Sequence, residues 1–443
     1  MRSLNSNFSA FVTLFISLMV IGRYQPLCAQ GKNVPATNTS FVNWAKTHAL
    51  PLDDSGLLPI DGIIGRASAV ALGEPAHGFH QSLSLRNQMF RYLVEHLGFT
   101  TIVLETNFAK THLAADFIAG GNGTAEQAAQ ALTIGDPTTE DIQLLRWMRE
   151  YNQQPTHQLK TKVYGMDIEM IGLPGDTTPS HPAVDEALYY LKQVDPSTAV
   201  HFSKILTPFL NWMSVANYTK VSNEQHNQLS VVLDELVATF RRHRSAYIAA
   251  STNFAFEWAF QNIVAARQTD QMVRLLPREV PGTIAPDAWH AVNARDSAMA
   301  ENVCWVLSRE KNAFIYAHNA HVKNAPTTGS VWNAFQQPPN SMGQYLRKAL
   351  GSRLVIFGIS FDPAFDIKQP GSLEAALAKT DMSNFLLDLK AASADPEVAE
   401  WLALLRPMQA NVVAYFNLQL ATAFDAIVYL GKALPSVRIK QKN

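Results

Sequence analysis

Five ionisable side chains each follow closely on a short apolar run of the sequence. They are Glu74, His77, Glu105, His318 and His321. A histidine beside carboxylates has what a general base needs, because its pKa lies near neutrality and an acid can fix its tautomer and stabilise the imidazolium. The residue types therefore predict activation of water, provided that the fold brings the three chain segments together.

Residues 70–105 predict a strand, a helix and a second strand. The runs before Glu74 and Glu105 have the length of buried strands, and residues 81–97 carry apolar side chains at helical spacing with Gly98 after them. A helical crossover of this length favours parallel pairing of the two strands. Sites in such sheets lie beyond the carboxyl ends of strands. We therefore expect His77 and Glu105 on neighbouring strand ends.

Further strands are predicted at residues 163–167, 313–317, 353–360 and 424–430, and long helical patterns fill residues 182–276. This alternation predicts an α/β fold with a mostly parallel central sheet flanked by helices and an inserted α-helical subdomain. The expected division is a signal peptide at 1–29, a first part of the α/β core at 30–180, the helical insertion at 181–285 and the second part of the core at 286–443.

The amino-terminal 29 residues have the layout of a secretory signal. Arg2 precedes an apolar core at residues 11–21, and the small residue Ala29 precedes the expected cut. The core falls short of the about 20 apolar residues that a membrane span needs. We expect an exported protein, periplasmic or secreted, with no stable membrane insertion after the signal is removed.

Charge and cysteine content exclude several classes of protein. Removing residues 1–29 moves the formal net charge from −1 to −3, and no polybasic patch indicates binding to nucleic acid. Cys304 is then the single cysteine left, so an intramolecular disulfide is impossible. It lies in an apolar run and is expected to be a buried structural thiol.

Two other chemistries are alternatives to water activated by histidine. No Gly-x-Ser-x-Gly motif is present, and Ser82 and Ser84 fall inside the predicted helix, so a serine nucleophile is not favoured. Two or three histidines with a carboxylate are also a ligand set for catalytic zinc. The His-Asn-Ala-His spacing at residues 318–321 lies on a predicted loop and is not the i, i+4 helical pair of common zinc hydrolases.

Two arginines are candidates for the cation of the site. Arg86 lies nine residues after His77 and is expected either at the mouth of the site, stabilising an oxyanion, or paired with a carboxylate elsewhere. Arg295 and Asp296 lie on a predicted helix that leads into the strand before His318, where an internal salt bridge is the simpler interpretation.

The order of several motifs resembles the erythromycin esterase family over most of residues 65–432. The motifs are Gly73-Glu74-Pro75-Ala76-His77-Gly78, Glu105, Gly165-Met166-Asp167, Arg295-Asp296 with Met299-Ala300 and Asn302, Ala317-His318-Asn319-Ala320-His321-Val322, Met342-Gly343 and Phe424-Asp425-Ala426-Ile427. As a set they are specific, whereas any one of them alone is weak.

The resemblance implies a metal-independent hydrolase, without a cofactor, that opens a macrolide lactone with water. The family's essential histidine falls on His77, which would be the general base, and its glutamates fall on Glu74 and Glu105. Its arginine falls on Arg86 and its later histidines on His318 and His321. Glu105 would orient a histidine, whereas the histidine pair and Arg86 would hold the carbonyl and the developing oxyanion.

The resemblance also implies a large cleft between the sheet and the helical insertion. The side chains expected to contact the substrate are His321, Asn319, Asp167 and Arg295. The expected partner is a small molecule, a macrolide or another bulky ester. Export is compatible with either substrate, a macrolide or another ester, although macrolide resistance enzymes of this kind are typically cytoplasmic. A metal-dependent hydrolase with the same residues and a non-catalytic binding protein of the cell envelope remain the alternatives.

Overall fold

The computed structural model describes residues 39–52, 60–133, 135–168, 181–211, 217, 220–276, 285–362, 369–411 and 414–440. The predicted signal at residues 1–29 lies outside them. The strands are β1 (Leu50–Pro51), β2 (Ala69–Glu74), β3 (Thr101–Asn107), β4 (Lys162–Asp167), β5 (Ala313–His318), β6 (Leu354–Asp362), β7 (Phe385–Asp388), β8 (Arg406–Gln409), β9 (Tyr415–Leu418) and β10 (Ala426–Lys432).

The helices of the described residues pack on both faces of the sheet and in one separate group. They are α1 (Thr39–His48), α2 (Ile60–Ile64), α3 (His80–His96), α4 (Thr111–Ile118), α5 (Ala125–Gln130), α6 (Thr139–Gln153), α7 (Pro182–Val194), α8 (Pro196–Leu210), α9 (Asn223–Arg242), α10 (Arg244–Ala250), α11 (Asn253–Arg274), α12 (Trp289–Leu307), α13 (Asn319–Val322), α14 (Met342–Leu350), α15 (Leu373–Leu377), α16 (Pro396–Ala403) and α17 (Leu420–Ala423).

Among the described residues, eight strands form the central sheet in the order β1-β7-β10-β6-β2-β5-β3-β4, and β8 and β9 form a separate hairpin. The pairs from β10 to β4 are parallel, whereas β7 runs antiparallel to β10 and to β1. The predicted α/β class with a mostly parallel sheet is confirmed. No strand is predicted from the sequence at β1 or β7, which have only two and four residues.

The predicted adjacency of the first two strands is wrong, because β5 lies between β2 and β3. In register, Leu72 of β2 and Leu104 of β3 both pair with Tyr316 of β5. A crossover of sufficient length specifies parallel direction but not which strand fills the space between. The insertion places Glu74 directly beside His318 in the ladder and brings Glu105 to the other side of β5.

Both faces of β2 are buried, as expected of a central parallel strand. Ala69 and Ala71 belong to the apolar core that includes α1, α12 and α14, whereas Val70 and Leu72 belong to the core that includes α3 and α6. Helix α3 ends as predicted, since Gly98 has φ +70° and Phe99 N–H donates to Leu93 O at 3.1 Å. These two cores hold β2 and α3, and with them the loop that joins the two elements.

Helices α7–α11 share a third apolar core that also takes in Ala291 and Ala298 of α12. Their buried side chains recur at helical spacing, for example Leu229, Leu233 and Leu236 of α9. That this segment is an inserted domain stays a prediction. Within the described part of the chain, no helix has the length and apolar character that crossing a membrane requires.

The close approach of β2 to α13 predicts a cost for any side chain at Gly73. A Cβ there would lie 2.3 Å from Asn319 Oδ1 and 2.5 Å from Val322 Cγ2. We expect Gly73→Ala to lower the free energy of unfolding by about 1–3 kcal/mol through overpacking, measured by urea denaturation. The matched control is Gly62→Ala in α2, where a Cβ meets nothing within 4 Å. Equal stability of the two variants would contradict the close approach.

Candidate active site

The loop at residues 75–79 presents His77 beyond the end of β2. His77 Nδ1–H donates to Glu74 Oε1 at 2.8 Å, and the histidine side chain is 45% exposed whereas that of Glu74 is 5% exposed. Gly78 has φ +78°, a conformation that glycine adopts without strain, and it turns the chain toward α3. Because Nδ1 is engaged by the carboxylate, Nε2 is the nitrogen left for a proton transfer.

Two carboxylates set the charge state of His77. Burial alone would lower its pKa, but the negative charge of Glu105 and the hydrogen bond and charge of Glu74 outweigh burial and raise the pKa to about 9. The imidazolium is therefore the dominant form at neutral pH. A general base becomes positively charged when it takes up a proton. Glu74 and Glu105 stabilise that positive charge on His77 even before a substrate binds.

The Glu105 carboxylate joins three elements of the site. Its Oε2 accepts the backbone N–H of His318 at 2.7 Å, and its Oε1 lies 3.3 Å from His321 Nε2 and 3.5 Å from Arg295 Nη2. Burial would raise its pKa, but the positive charges of His321, His77 and Arg295 hold the pKa well below its usual range. Glu105 is thus an anion with a side chain only 10% exposed, bonded to β5, α13 and α12.

Both ring nitrogens of His318 are bonded to backbone groups, so neither points toward a bound substrate carbonyl, which corrects the role expected from the sequence. It is the N-cap of α13: its Nδ1 accepts from Ala320 N–H at 3.0 Å, and its Nε2–H donates to Pro75 O at 3.0 Å. Burial and the charge of His77 lower its pKa to about 3. The neutral ring therefore fastens the His77 loop to the turn at residues 319–322, a helical turn where a loop was predicted.

His321 forms the centre of a buried Asp–His–Glu array. Its Nδ1 bonds to Asp296 Oδ1 at 2.9 Å, which also accepts Met342 N–H at 2.7 Å, and its Nε2 faces Glu105. Burial would lower the pKa of His321, but Asp296 and then Glu105 raise it to about 10. Its side chain is only 2% exposed, and its two nitrogens face Asp296 and Glu105, so it holds Glu105 in place.

Arg295 is bonded to carboxylates, and part of its side chain reaches the surface. Its Nε donates to Asp167 Oδ1 at 3.0 Å, its Nη2 donates to Asp167 Oδ2, and its side chain is 17% exposed. Asp167 also accepts the N–H of Ile168 at 2.8 Å and is almost fully buried. Both side chains were expected to contact substrate. Arg295 is partly accessible, whereas Asp167 holds its guanidinium.

Arg86 lies behind the site, not at its mouth, because α3 directs it into the core. Its Nη1 donates to Asp141 Oδ1 at 2.9 Å, and its guanidinium lies 5.2 Å from the ring centre of Tyr316. Tyr316 in turn donates its hydroxyl to Glu74 Oε2 at 2.6 Å. Arg86 therefore acts through the tyrosine on the carboxylate that holds His77, and it is too deeply buried to meet an oxyanion.

Asn319 is also displaced from its expected role. Its side chain is fully buried and its Nδ2 donates to Ile359 O at 2.8 Å, so it ties α13 to β6. Conversely, Tyr316 and the bond between Asp296 and His321 were missed. Tyr316 lies two residues before His318, and strand alternation puts both on one face. Nothing local linked Asp296 to a histidine 25 residues later.

The side-chain geometry of the site bears on the metal-dependent alternative. No group of three or more His, Cys, Asp or Glu side chains in the described ranges is arranged to hold a metal ion. His318 has both ring nitrogens on backbone groups, and His321 has a carboxylate against each nitrogen. These histidines would have to give up those bonds before they ligated a metal.

A cavity of about 810 Å³ opens on a different side of α3. Its lining includes His80, Arg91, Tyr92 and Leu430, and none of the residues clustered around Glu105 contributes to it. The cleft expected between the sheet and the helical segment stays a prediction.

The contacts of Glu74 predict opposite effects of two conservative substitutions on His77. Glu74→Gln removes a negative charge and should lower the pKa of His77 from about 9 toward its ordinary value of 6.5. Tyr316→Phe removes a hydrogen bond that disperses that charge and should raise the pKa. The measurement is an NMR titration of ¹³C-labelled histidine, assigned by the resonance lost in His77→Gln. Asp185→Asn, whose partner is His181, is the control. An unchanged pKa in Glu74→Gln would refute the assigned contact.

Comparisons with known proteins agree with this architecture. The erythromycin esterase type II of Escherichia coli is 23% identical over 432 residues, 89% of this chain and 98% of that protein. A crystal structure of a Bacillus cereus protein superposes with a TM-score of 0.76 at 23% identity, covering 91% of this chain and 99% of that one. A mutant of the erythromycin esterase EreC in its open conformation gives a TM-score of 0.66 at 17% identity, covering 89% and 97%.

A sequence model of the family described as erythromycin esterase matches residues 94–433, which begins after Glu74 and His77 and includes Glu105, His318 and His321. This is a family of hydrolases, which supports hydrolase activity for the chain. The match spans well over half of the sequence, and the protein belongs to the erythromycin esterase family.

Proposed function

We propose that the protein hydrolyses a bulky ester, a macrolide lactone or a related molecule, with water activated by His77. The observation that carries this proposal is the contrast in exposure within one charged cluster. Glu74 and His321 are buried and the Glu105 side chain is only 10% exposed, and each of these three side chains is held by hydrogen bonds or ion pairs. In contrast, the His77 imidazole is 45% exposed and has Nδ1 fixed by a carboxylate. An oriented, accessible imidazole is the arrangement that general base catalysis requires.

The reaction runs in two steps through the neutral form of His77. Its Nε2 takes a proton from water while the water oxygen bonds to the ester carbonyl carbon, which leaves a tetrahedral oxyanion. The bond from that carbon to the alkoxide oxygen then breaks, and Nε2 returns the proton to the leaving oxygen. Glu74 and Glu105 stabilise the imidazolium between the two steps. The products are a carboxylic acid and an alcohol, joined in one molecule when the substrate is a lactone.

Arg295 is the cation best placed to meet the oxyanion. Its guanidinium borders Glu105 and remains partly exposed, whereas Arg86 is buried behind Tyr316. Asp167 holds two of the guanidinium nitrogens, which fixes the orientation of the guanidinium plane. A positioned donor of this kind is worth about 100–1,000-fold in rate where it is the main oxyanion ligand.

Incubation with erythromycin and a panel of other macrolides and bulky esters, followed by mass spectrometry, tests the reaction. We expect a gain of one water in at least one compound and its loss in His77→Gln, which keeps the size of the side chain but has no titratable nitrogen. A chelator-treated sample should retain activity. Loss of activity with chelator would favour the metal-dependent alternative, and a parent protein inert toward every ester would overturn the proposal.

The pH dependence provides a second readout of the same reaction. Because the pKa of His77 lies near 9, only about 1% of the protein carries the neutral imidazole at pH 7. The value of kcat/KM should therefore rise by about tenfold per pH unit above neutrality and level off near pH 9. A plateau already reached at pH 7 would contradict the assignment of His77 as the base in this charge environment.

We also propose that the protein is exported after cleavage behind Ala29, on the pattern of residues 1–29. Export would place the hydrolase where an ester is met before it enters the cytoplasm. Amino-terminal sequencing of the protein recovered from the periplasm or the medium should begin at Gln30. Recovery of the protein in the cytoplasm with Met1 intact would refute this.

A further inference from the structure

The final described segment of the chain crosses the loop that carries His77. We call residues 434–438 the terminal strap. Ser436 N–H donates to Gly78 O at 2.8 Å, His80 N–H donates to Leu434 O at 2.8 Å, and Phe79 and Pro435 form an antiparallel bridge. The Gln81 side chain accepts Leu434 N–H at 2.7 Å. The strap therefore binds every residue from Gly78 to Gln81, beginning one residue after His77.

Side chains reinforce this backbone contact. His80 Nδ1–H donates to Glu140 Oε1 at 2.6 Å, and the Ser436 hydroxyl donates to the other oxygen of the same carboxylate. Glu140 is 2% exposed and lies in the first turn of α6. One buried carboxylate thus joins the start of α3, the start of α6 and the strap.

The strap is itself anchored beyond the loop. Thr139 N–H donates to Val437 O at 3.0 Å, and Arg438 Nη1 donates to Asp136 O at 2.7 Å. Ile439, the next residue, packs against the apolar core beneath α3 and α6. A segment held at several points on α6 has the rigidity to restrain the loop that it crosses.

The His77 loop is consequently held at both ends and open in the middle. On one side His318 Nε2–H donates to Pro75 O at 3.0 Å, and on the other side Ser436 binds Gly78. His77 lies between these anchors with its imidazole exposed. Both partners of the strap contact, residues 78–81 and 434–438, lie outside the segment 94–433 that matches the family.

We infer that the terminal strap is a positioning element for the active site, which fixes His77 over Glu74 through Ser436 and the His80–Glu140 pair. This inference rests on the proposed function for its effect on catalysis, whereas its effect on the geometry of His77 stands apart from any substrate. The strap does not touch the reacting atoms. It acts by limiting the motion of the loop, and a misplacement of about 1 Å at a catalytic group costs on the order of 100-fold in rate.

Three substitutions at one position separate the contacts. Ser436→Pro removes the N–H that binds Gly78 and the hydroxyl that binds Glu140, Ser436→Ala removes the hydroxyl alone, and Ser436→Thr keeps both donors. Val437→Ala is the matched control, since that side chain is 63% exposed and its backbone contact is unaffected. Each full-length variant is examined by thermal unfolding, by the NMR titration of His77 and by hydrolysis of the most reactive ester.

We expect Ser436→Pro to shift the pKa of His77 away from about 9 and to lower kcat by about 10–100-fold with little change in KM, while the protein remains folded. Ser436→Ala should fall between this variant and the parent, and Ser436→Thr should match the parent. A His77 titration in Ser436→Pro identical to that of Val437→Ala would overturn the inference. If the parent hydrolyses no ester but the titration shifts, the strap is upheld and only the proposed function fails.

Discussion

The arrangement of the site depends on one nearly buried negative charge, the Glu105 carboxylate. An isolated carboxylate in a protein interior costs several kcal/mol of solvation free energy, so the surrounding structure must supply donors. Here a backbone N–H of β5, the imidazole of His321 and the guanidinium of Arg295 do so. Because those donors come from three separate elements, satisfying this one charge also aligns β3, β5, α12 and α13.

The two basic side chains that contact Glu105 are each bound by a second carboxylate as well. On one side His321 is held between Glu105 and Asp296, and on the other side Arg295 is held between Glu105 and Asp167. Removing one partner of such a buried pair leaves an uncompensated charge, at a cost of about 3–5 kcal/mol. Most ionisable groups of the cluster are therefore committed to one another. His77 is the exception, because its ring reaches solvent while Glu74 fixes one nitrogen.

A second layer determines how Glu74 itself is held. Tyr316 donates to the oxygen that His77 does not use, and Arg86 lies over the tyrosine ring with Asp141 as its ion-pair partner. These residues lie behind Glu74, and the hydrogen bond from Tyr316 affects how strongly the Glu74 carboxylate attracts the proton on His77. The glycine at position 73 belongs to the same constraint, since the absence of Cβ lets α13 approach β2 closely enough for His318 to bind Pro75.

The sequence alone determined the strands and helices near the site and the types of side chain that follow them. Apolar runs that end in Glu74 and Glu105, a helical period closed by Gly98, and histidines after a third run specified β2, α3, β3 and β5, because strand and helix periodicity are local properties. Only the tertiary structure decided which strands are neighbours and which side chains face the substrate. The insertion of β5 between β2 and β3, the burial of Arg86 and Asn319, and the pairing of His321 with Asp296 arise from contacts between residues distant in sequence. Such contacts depend on the packing and charge compensation of the whole fold, and these do not produce a periodic pattern in the sequence.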